Sequence, residues 1–237
     1  MKILTVIGSP KGKGQGYRVV EKVEEEMKRL GDINFEYLLL KDANLELCRG
    51  CFLCVSKGSE FCPIEDDMRE IEEKIENADG VILSSPGYVY NVSWLMKNSI
   101  DRFDYCNHRP QFFDQKLMLI ANSGGAGMKE TIEAMRNTFG VGPKIVEEIT
   151  YMTPPWELSD KAEAKQENTV KKAAGNFYHS ILNGRREVPG FNKYFRFKFF
   201  KNVSSSVKDH LPADYEYYKD KDEYYYETEI SILKKMV

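Results

Sequence analysis

Five short apolar runs, each followed by a stretch with helical spacing, most narrow what this chain can fold into. They lie at residues 2–8 (KILTVIG), 35–40, 80–84, 116–121 and 145–151. Apolar runs this short suit strands buried on both faces, as parallel strands are. After the first run, Val20, Val23, Met27 and Leu30 share a helical face, and Gly31 is placed to cap that helix. Asp66 and Asp67 open a second helix at its positive end, with Met68, Ile71, Ile75 and Ala78 inward. Leu95, Met96, Ser99, Ile100 and Phe103 form a third face. Ile132, Met135 and Phe139 form a fourth, stopping at Gly140. A long helix over 159–182 would bury Val170, Ala173, Ala174, Phe177, Ile181 and Leu182, with Asn183-Gly184 ending it. This alternation predicts a doubly wound parallel α/β sheet, whose ligand site lies beyond the carboxyl ends of the strands.

The loops expected at that edge carry the chemistry. Gly8 to Gly16 (GSPKGKGQG) follows a buried strand and precedes a helix. Backbone N–H groups, a helix N-terminus, the Ser9 hydroxyl and Lys11 or Lys13 can then face an anion. The loop is neither a Walker A sequence nor a dinucleotide fingerprint. The third and fourth runs lead into SPGYVYN (85–91) and NSGGAG (122–127). The second leads into Leu47–Met68, which holds Cys48, Cys51, Cys54 and Cys62 in the order C-x2-C-x2-C-x7-C, followed by Pro63. Such a run can wrap an iron–sulfur cluster. A structural zinc, a disulfide pair and redox or vestigial thiols are the competing readings. Zinc sites more often pair two C-x2-C hairpins, and a second hairpin is missing here.

The chain has 237 residues and a net charge of −3, so no overall electrostatic pull favours nucleic acid. No apolar run reaches the roughly 18 residues of a membrane span, and the N-terminus is too short for a signal sequence. A reducing, cytoplasmic setting is the expectation. Cys106 reads as a small buried hydrophobe, His108 as part of a surface turn and His179 as helix packing. Tyr88, Tyr90 and Trp94 suit either contact with an aromatic ligand or the core. Residues 1–184 read as the domain, with the cysteine loop at 47–63. Residues 185–237 read as an extension packing on the domain or a partner subunit. FNKYFRFKFFKN (191–202) suits an amphipathic helix there, and six tyrosines at 215–226 suit an interface.

Together these motifs resemble the iron–sulfur flavoproteins, a group within the NADPH-dependent FMN reductase family. GSPKGKGQG, the cysteine run, the downstream DDM, the Ala78-Asp79 ahead of a strand, SPGYVYNVSWLMKNSIDR and NSGG carry the resemblance over residues 1 to about 150. It implies a flavodoxin-like sheet of order 2-1-3-4-5 with FMN at the strand-end edge. Ser9, Lys11, Gly14, Gln15, Gly16 and Tyr17 would hold the phosphate. Pro86, Gly87, Tyr88, Val89, Tyr90 and Asn91 would line the ribityl chain and ring, with Ser123, Gly124 and Gly125 on the far side. A [4Fe-4S] cluster would sit on Cys48, Cys51, Cys54 and Cys62. Relatives carry an Asn-Thr pair where this chain reads Gln15-Gly16-Tyr17. The resemblance further implies a homodimer or homotetramer, with ferredoxin or NAD(P)H as donor and a small molecule or protein as acceptor. No side chain stands out as a general acid or base, so the chemistry would belong to FMN. The alternatives are an FMN-only NAD(P)H-dependent flavin or quinone reductase with silent cysteines, and a non-enzymatic metal or thiol sensor.

Overall fold

The computed structural model describes residues 1–184 and 191–219, the side chains of 191–194 excepted. Tyr224, Tyr225 and Tyr226, half of the expected tyrosine interface, lie outside the described residues. Five parallel strands form one sheet in the order β2-β1-β3-β4-β5. They are β1 (Lys2–Ile7), β2 (Asn34–Leu39), β3 (Gly80–Pro86), β4 (Lys116–Ser123) and β5 (Lys144–Met152). The expected flavodoxin-like order is therefore the observed one.

The three central strands are buried almost end to end, whereas β2 and β5 form the half-covered edges. This is why the central runs read as continuous apolar sequence. Alternate side chains feed two separate cores. On one face, Ile3, Ile82, Met118 and Ile120 meet α1 (Gln15–Lys28) and α7 (Asp160–Leu182) through Val20, Val23, Met27 and Phe177. On the other, Leu4, Val6, Leu83 and Leu119 meet α3 (Met68–Glu76), α4 (Trp94–Arg102) and α6 (Met128–Arg136) through Ile71, Met96 and Met135. Between β2 and α3 lies the cysteine segment. It contains the one-turn helix α2 (Leu53–Ser56) and a 3-10 turn at Ser59–Phe61. A short α5 (Tyr105–His108) follows α4.

Helix ends differ from the sequence expectations. The first helix stops at Lys28, so Leu30 falls beyond it and is exposed, and Arg29, not Gly31, is its C-cap. Leu182, on the last turn of α7, is exposed, as is His179. Both lie off the inward face of α7 that carries Val170, Ala173, Ala174, Phe177 and Ile181 onto the sheet. Ser159 does cap α7, accepting from the Ala162 amide, and Gly184 takes a positive φ just past the helix.

The described part of the extension forms α8 (Phe191–Ser206) and α9 (Pro212–Lys219). Phe197 and Tyr218 are buried together, while Phe195 and Phe199 are exposed. Tyr218 Oη donates to the His108 carbonyl (2.6 Å) and Tyr217 Oη to that of Pro110. No helix among the described residues is long and apolar enough to cross a membrane.

Candidate functional site

The loops after β1, β3 and β4 meet at the strand ends through main-chain bonds. Gly8 N donates to Ser84 O (2.8 Å), and Gly87 N donates to Asn122 O (2.8 Å). Ser93, the cap of α4, accepts from Met96 N and donates to Gly8 O, and its own amide reaches Ser85 Oγ (3.1 Å). The β1 loop is thereby fastened to both β3 and α4.

Within that loop, Ser9 is buried and its Oγ accepts from the Lys11 amide (3.3 Å). Gly14 is the N-cap of α1 and no side chain caps the helix, so the first-turn N–H groups of Gln15, Gly16 and Tyr17 face outward from the helix end. Lys13 Nζ lies 5.5 Å from the centre of the Tyr17 ring. Glycine is required where the loop is tightest. A Cβ on Gly8 would stand 2.7 Å from Met96 Cβ, and one on Gly16 would stand 2.8 Å from Asn122 Oδ1 and 3.1 Å from Ser84 Oγ. Those two oxygens are buried and have no hydrogen-bond partner among the described residues. A helix end with free amides, backed by glycines and by a buried serine, suits a phosphate dianion. The residues present therefore fit the phosphate end of FMN.

The β3 loop is strained. Tyr88 and Asn91 pair as a tight hairpin, each amide bonding the other's carbonyl (2.8 and 3.0 Å). Val89 and Tyr90 between them both have positive φ, 50° and 61°. Such a turn favours glycine or asparagine, and a β-branched residue there costs on the order of 1 kcal/mol or more. Packing holds it: Asn91 Oδ1 accepts from Val92 N, Thr131 Oγ1 donates to Asn91 O, and Gly127 approaches the Tyr90 backbone. Val89 projects into solvent at 96 % exposure, and Tyr88, Tyr90 and Trp94 are exposed as well. The core alternative for these three aromatics is thus overturned; they are free to meet a ligand or partner. Opposite, Ser123 Oγ donates to Ala126 O (2.8 Å) and accepts from Gly125 N (3.1 Å), shaping a turn in which Gly125 leaves open space and Gly124 lies against the Thr153–Pro155 segment.

All four cysteines of the run line one cavity of about 440 Å³, together with Arg102, Asp66, Glu72 and Tyr105. Each sulfur is a free thiol. Cys48 and Cys51 are exposed, Cys54 and Cys62 half-buried. Among the described residues no three side chains are close enough together to hold a single metal ion. Four cysteines on one cavity are the number an iron–sulfur cubane needs, since each iron takes one cysteine sulfur besides its bridging sulfides. Soft sulfur donors are the right chemistry for such a core.

Helix α4 links this cavity to the FMN edge. Its N-cap touches the β1 loop, and its far end carries Asn98 and Arg102 into the cysteine segment. Asn98 Oδ1 accepts from Cys48 N (2.9 Å) and its amide donates to Glu46 O (3.1 Å). Arg102, almost fully buried, donates to both Asp66 oxygens (2.5 and 2.9 Å) and to Glu46 O (2.9 Å), with Nη2 4.0 Å from Cys62 Sγ. Burial alone would raise the Asp66 carboxyl. The Arg102 pair and the Met68 and Glu46 amides together hold it below the usual range. Burial pushes the Cys54 thiol up, reinforced by Cys62 nearby. Burial, then the neighbouring Glu76, pushes Glu72 up to about 7.

Sequence reasoning did not single out Asn98, Arg102, Arg109 or Asp214. Asn98 and Arg102 lie one turn apart on α4 among the polar neighbours Lys97, Ser99 and Asp101, which hide them in the sequence. Asp214 gave no sign either. His108 is not a surface turn: its Nδ1 lies 2.9 Å from Asp214 Oδ2 and helps seat α9. Cys106 is fully buried, as its composition-level reading has it.

The family model described as NADPH-dependent FMN reductase matches residues 1–156. An iron–sulfur flavoprotein of Archaeoglobus fulgidus is 27 % identical over 228 residues, covering 93 % of this chain and 99 % of that protein. An iron–sulfur flavoprotein of Methanocaldococcus jannaschii is 33 % identical over 153 residues, covering 62 % of this chain and 75 % of its own. Among solved structures, the NAD(P)H:quinone oxidoreductase of Methanothermobacter marburgensis superposes with a TM-score of 0.60 at 18 % identity. That match covers 76 % of this chain and 98 % of the other, and it supports the fold.

Proposed function

We propose, for a chain that belongs to the NADPH-dependent FMN reductase family, that electrons pass between FMN at the strand-end edge and a [4Fe-4S] cluster in the cysteine cavity. The protein is an FMN-dependent oxidoreductase. The observation that carries the second redox group is the convergence of Cys48, Cys51, Cys54 and Cys62 on one cavity bordered by a buried arginine. The names of the two relatives, both iron–sulfur flavoproteins, agree with it.

In this reading Ser9, Lys11, Gly14, Gln15, Gly16 and Tyr17 bind the phosphate. Pro86 to Asn91 line the ribityl chain and ring from one side, and Ser123, Gly124 and Gly125 from the other. When bound, FMN supplies the capacity to exchange one or two electrons with a donor such as a nicotinamide. The protein's part is to orient and tune. The strained Tyr88–Asn91 turn presents main-chain groups in a fixed direction, and the exposed aromatics beside it offer ring contact. Arg102, paired with Asp66, brings its guanidinium Nη2 to 4.0 Å from Cys62 Sγ and so fixes the wall of the cavity beside that sulfur. The exposed Phe52, Phe61, Tyr88, Val89, Tyr90 and Trp94 support assembly as a homodimer or homotetramer, and a reducing cytoplasm is the setting this reading expects. Residues 1–184 are the redox domain and the following segment its extension.

Purification without oxygen, followed by a visible spectrum and iron and sulfide assays, tests the proposal. Flavin bands on a broad brown absorption with about four irons per chain are expected. Cys51→Ser should abolish iron and sulfide and leave the flavin. Flavin without iron in the native protein would instead favour the FMN-only reductase with silent cysteines.

A further inference from the structure

The turn that carries Cys54 is too short to satisfy its own carbonyls. Helix α2 is four residues long, and Phe52 at its N-cap has a positive φ of 64°. Its internal bonds use the Phe52 and Leu53 carbonyls, which accept from Ser56, Lys57 and Gly58. The Cys54 and Val55 carbonyls are left for an outside donor, as the last carbonyls of any helix are. Arg109 is that donor. Its Nη1 reaches Val55 O (2.7 Å) and its Nη2 reaches Cys54 O. A guanidinium is suited to this, since its planar fork can hold two carbonyls at once and its charge complements a helix C-terminus.

Arg109 is itself buried at 6 % exposure, and its charge is met by Asp214 from α9 (Nη1 to Oδ1, 2.5 Å). Asp214 is 3 % exposed and its second oxygen faces His108 Nδ1. The same corner is closed by the Tyr217 and Tyr218 hydroxyls on the Pro110 and His108 carbonyls. The Phe52 ring, between Cys51 and Cys54 in the chain, sits edge-on to the His108 ring at 6.1 Å. The extension therefore reaches the cysteine turn through two buried, oppositely charged side chains, and not by apolar packing alone.

We propose that Arg109 and Asp214 are positioning residues of the cysteine site. Asp214, supplied by the C-terminal extension, holds the Arg109 fork on the Cys54 and Val55 carbonyls, and so fixes where Cys51 and Cys54 present their sulfurs. The proposal rests on the reading that these cysteines bind a cluster. Outer partners of metal ligands govern retention and electronic environment without touching the metal.

The test uses the full chain purified without oxygen, as wild type, Asp214→Asn and Arg109→Lys. Three quantities are followed: the FMN-to-protein ratio, the rate at which a ferrous chelator removes iron, and the electron paramagnetic resonance spectrum after dithionite reduction. Asp214→Asn should keep its FMN while losing iron about ten-fold faster or more, with a shifted spectrum. Asp214→Glu, which restores the charge, should recover part of both. Arg109→Lys keeps the pair with Asp214 but cannot fork both carbonyls, and should change the spectrum in the same direction. Iron release and spectrum unchanged in Asp214→Asn would overturn the proposal. If Asp214→Asn loses FMN and iron together through unfolding, Arg109→Lys decides, and an unchanged spectrum there overturns it. A wild type that holds no iron would overturn the cluster reading itself, and that outcome is seen in the wild-type sample alone.

Discussion

Replacing Arg102 by Met should cost the protein about 3 kcal/mol at neutral pH, through the carboxylate it leaves behind. The Arg102 and Asp66 side chains are 3 % and 0 % exposed, and the two are joined by a two-pronged ion pair at 2.5 and 2.9 Å. Breaking a buried pair by removing one partner commonly costs about 3–5 kcal/mol, since the survivor stays charged in a poor solvent. Asp66 keeps two amide donors, from Glu46 (2.9 Å) and Met68 (3.1 Å), which places the loss at the lower end. For a chain of this size about 3 kcal/mol lowers Tm by roughly 6–12 °C.

The comparison belongs in a Cys51→Ser background, so that any bound metal does not contribute, and is read by calorimetry with FMN saturating. The pH dependence separates this mechanism from lost packing. In the parent, Asp66 titrates below the unfolded carboxylate, so its stabilisation is complete above about pH 4 and is lost only as pH falls further. In the variant, the buried carboxyl without its cation titrates higher, and protonation relieves it. The gap between parent and variant should be widest at pH 7.5 and narrow steadily toward pH 4.5. A loss under about 1 kcal/mol, or a gap constant with pH, would refute the reasoning.

Two further outcomes follow from the same geometry. Gly16→Val drives a branched side chain against Asn122 Oδ1 and Ser84 Oγ, and should weaken FMN binding by about ten-fold or more in a fluorescence titration; unchanged affinity would remove Gly16 from the phosphate cradle. Glu72, raised to about 7, contributes stability that is full below its unfolded value near 4.3 and lost as pH rises through 7. The metal-free wild type should therefore melt progressively lower, relative to Glu72→Gln, between pH 5 and pH 8, and parallel Tm curves would contradict the burial of that carboxyl.

The sheet was legible because β1, β3 and β4 are buried on both faces, so their sequences are apolar throughout, while the strand order came from the family resemblance. The loops were legible for a related reason: glycines, serine and cysteines cluster where strands end. What stayed hidden depends on long-range closure. Leu30 continues a helical period past Lys28, where α1 stops, and Leu182 sits off the face that Phe177 and Ile181 turn to the sheet. The Val89-Tyr90 turn breaks the local preference for glycine and is held by Gly127 and Thr131, about 40 residues away in the chain, a conflict of the sort concentrated at functional sites. Arg109 and Asp214 are ordinary surface residue types until the fold buries them against one another.

That last pair also sets an order of events during synthesis. The cysteines leave the ribosome early, but the acid that steadies their turn follows Cys62 by about 150 residues, or roughly 8–30 s at ordinary elongation rates. Through that interval the thiols are present while the Arg109 fork has no counter-charge to hold it. If the cysteines take up iron and sulfide as proposed, a chain whose α9 has not yet docked should be a poor recipient, and loading should follow that docking.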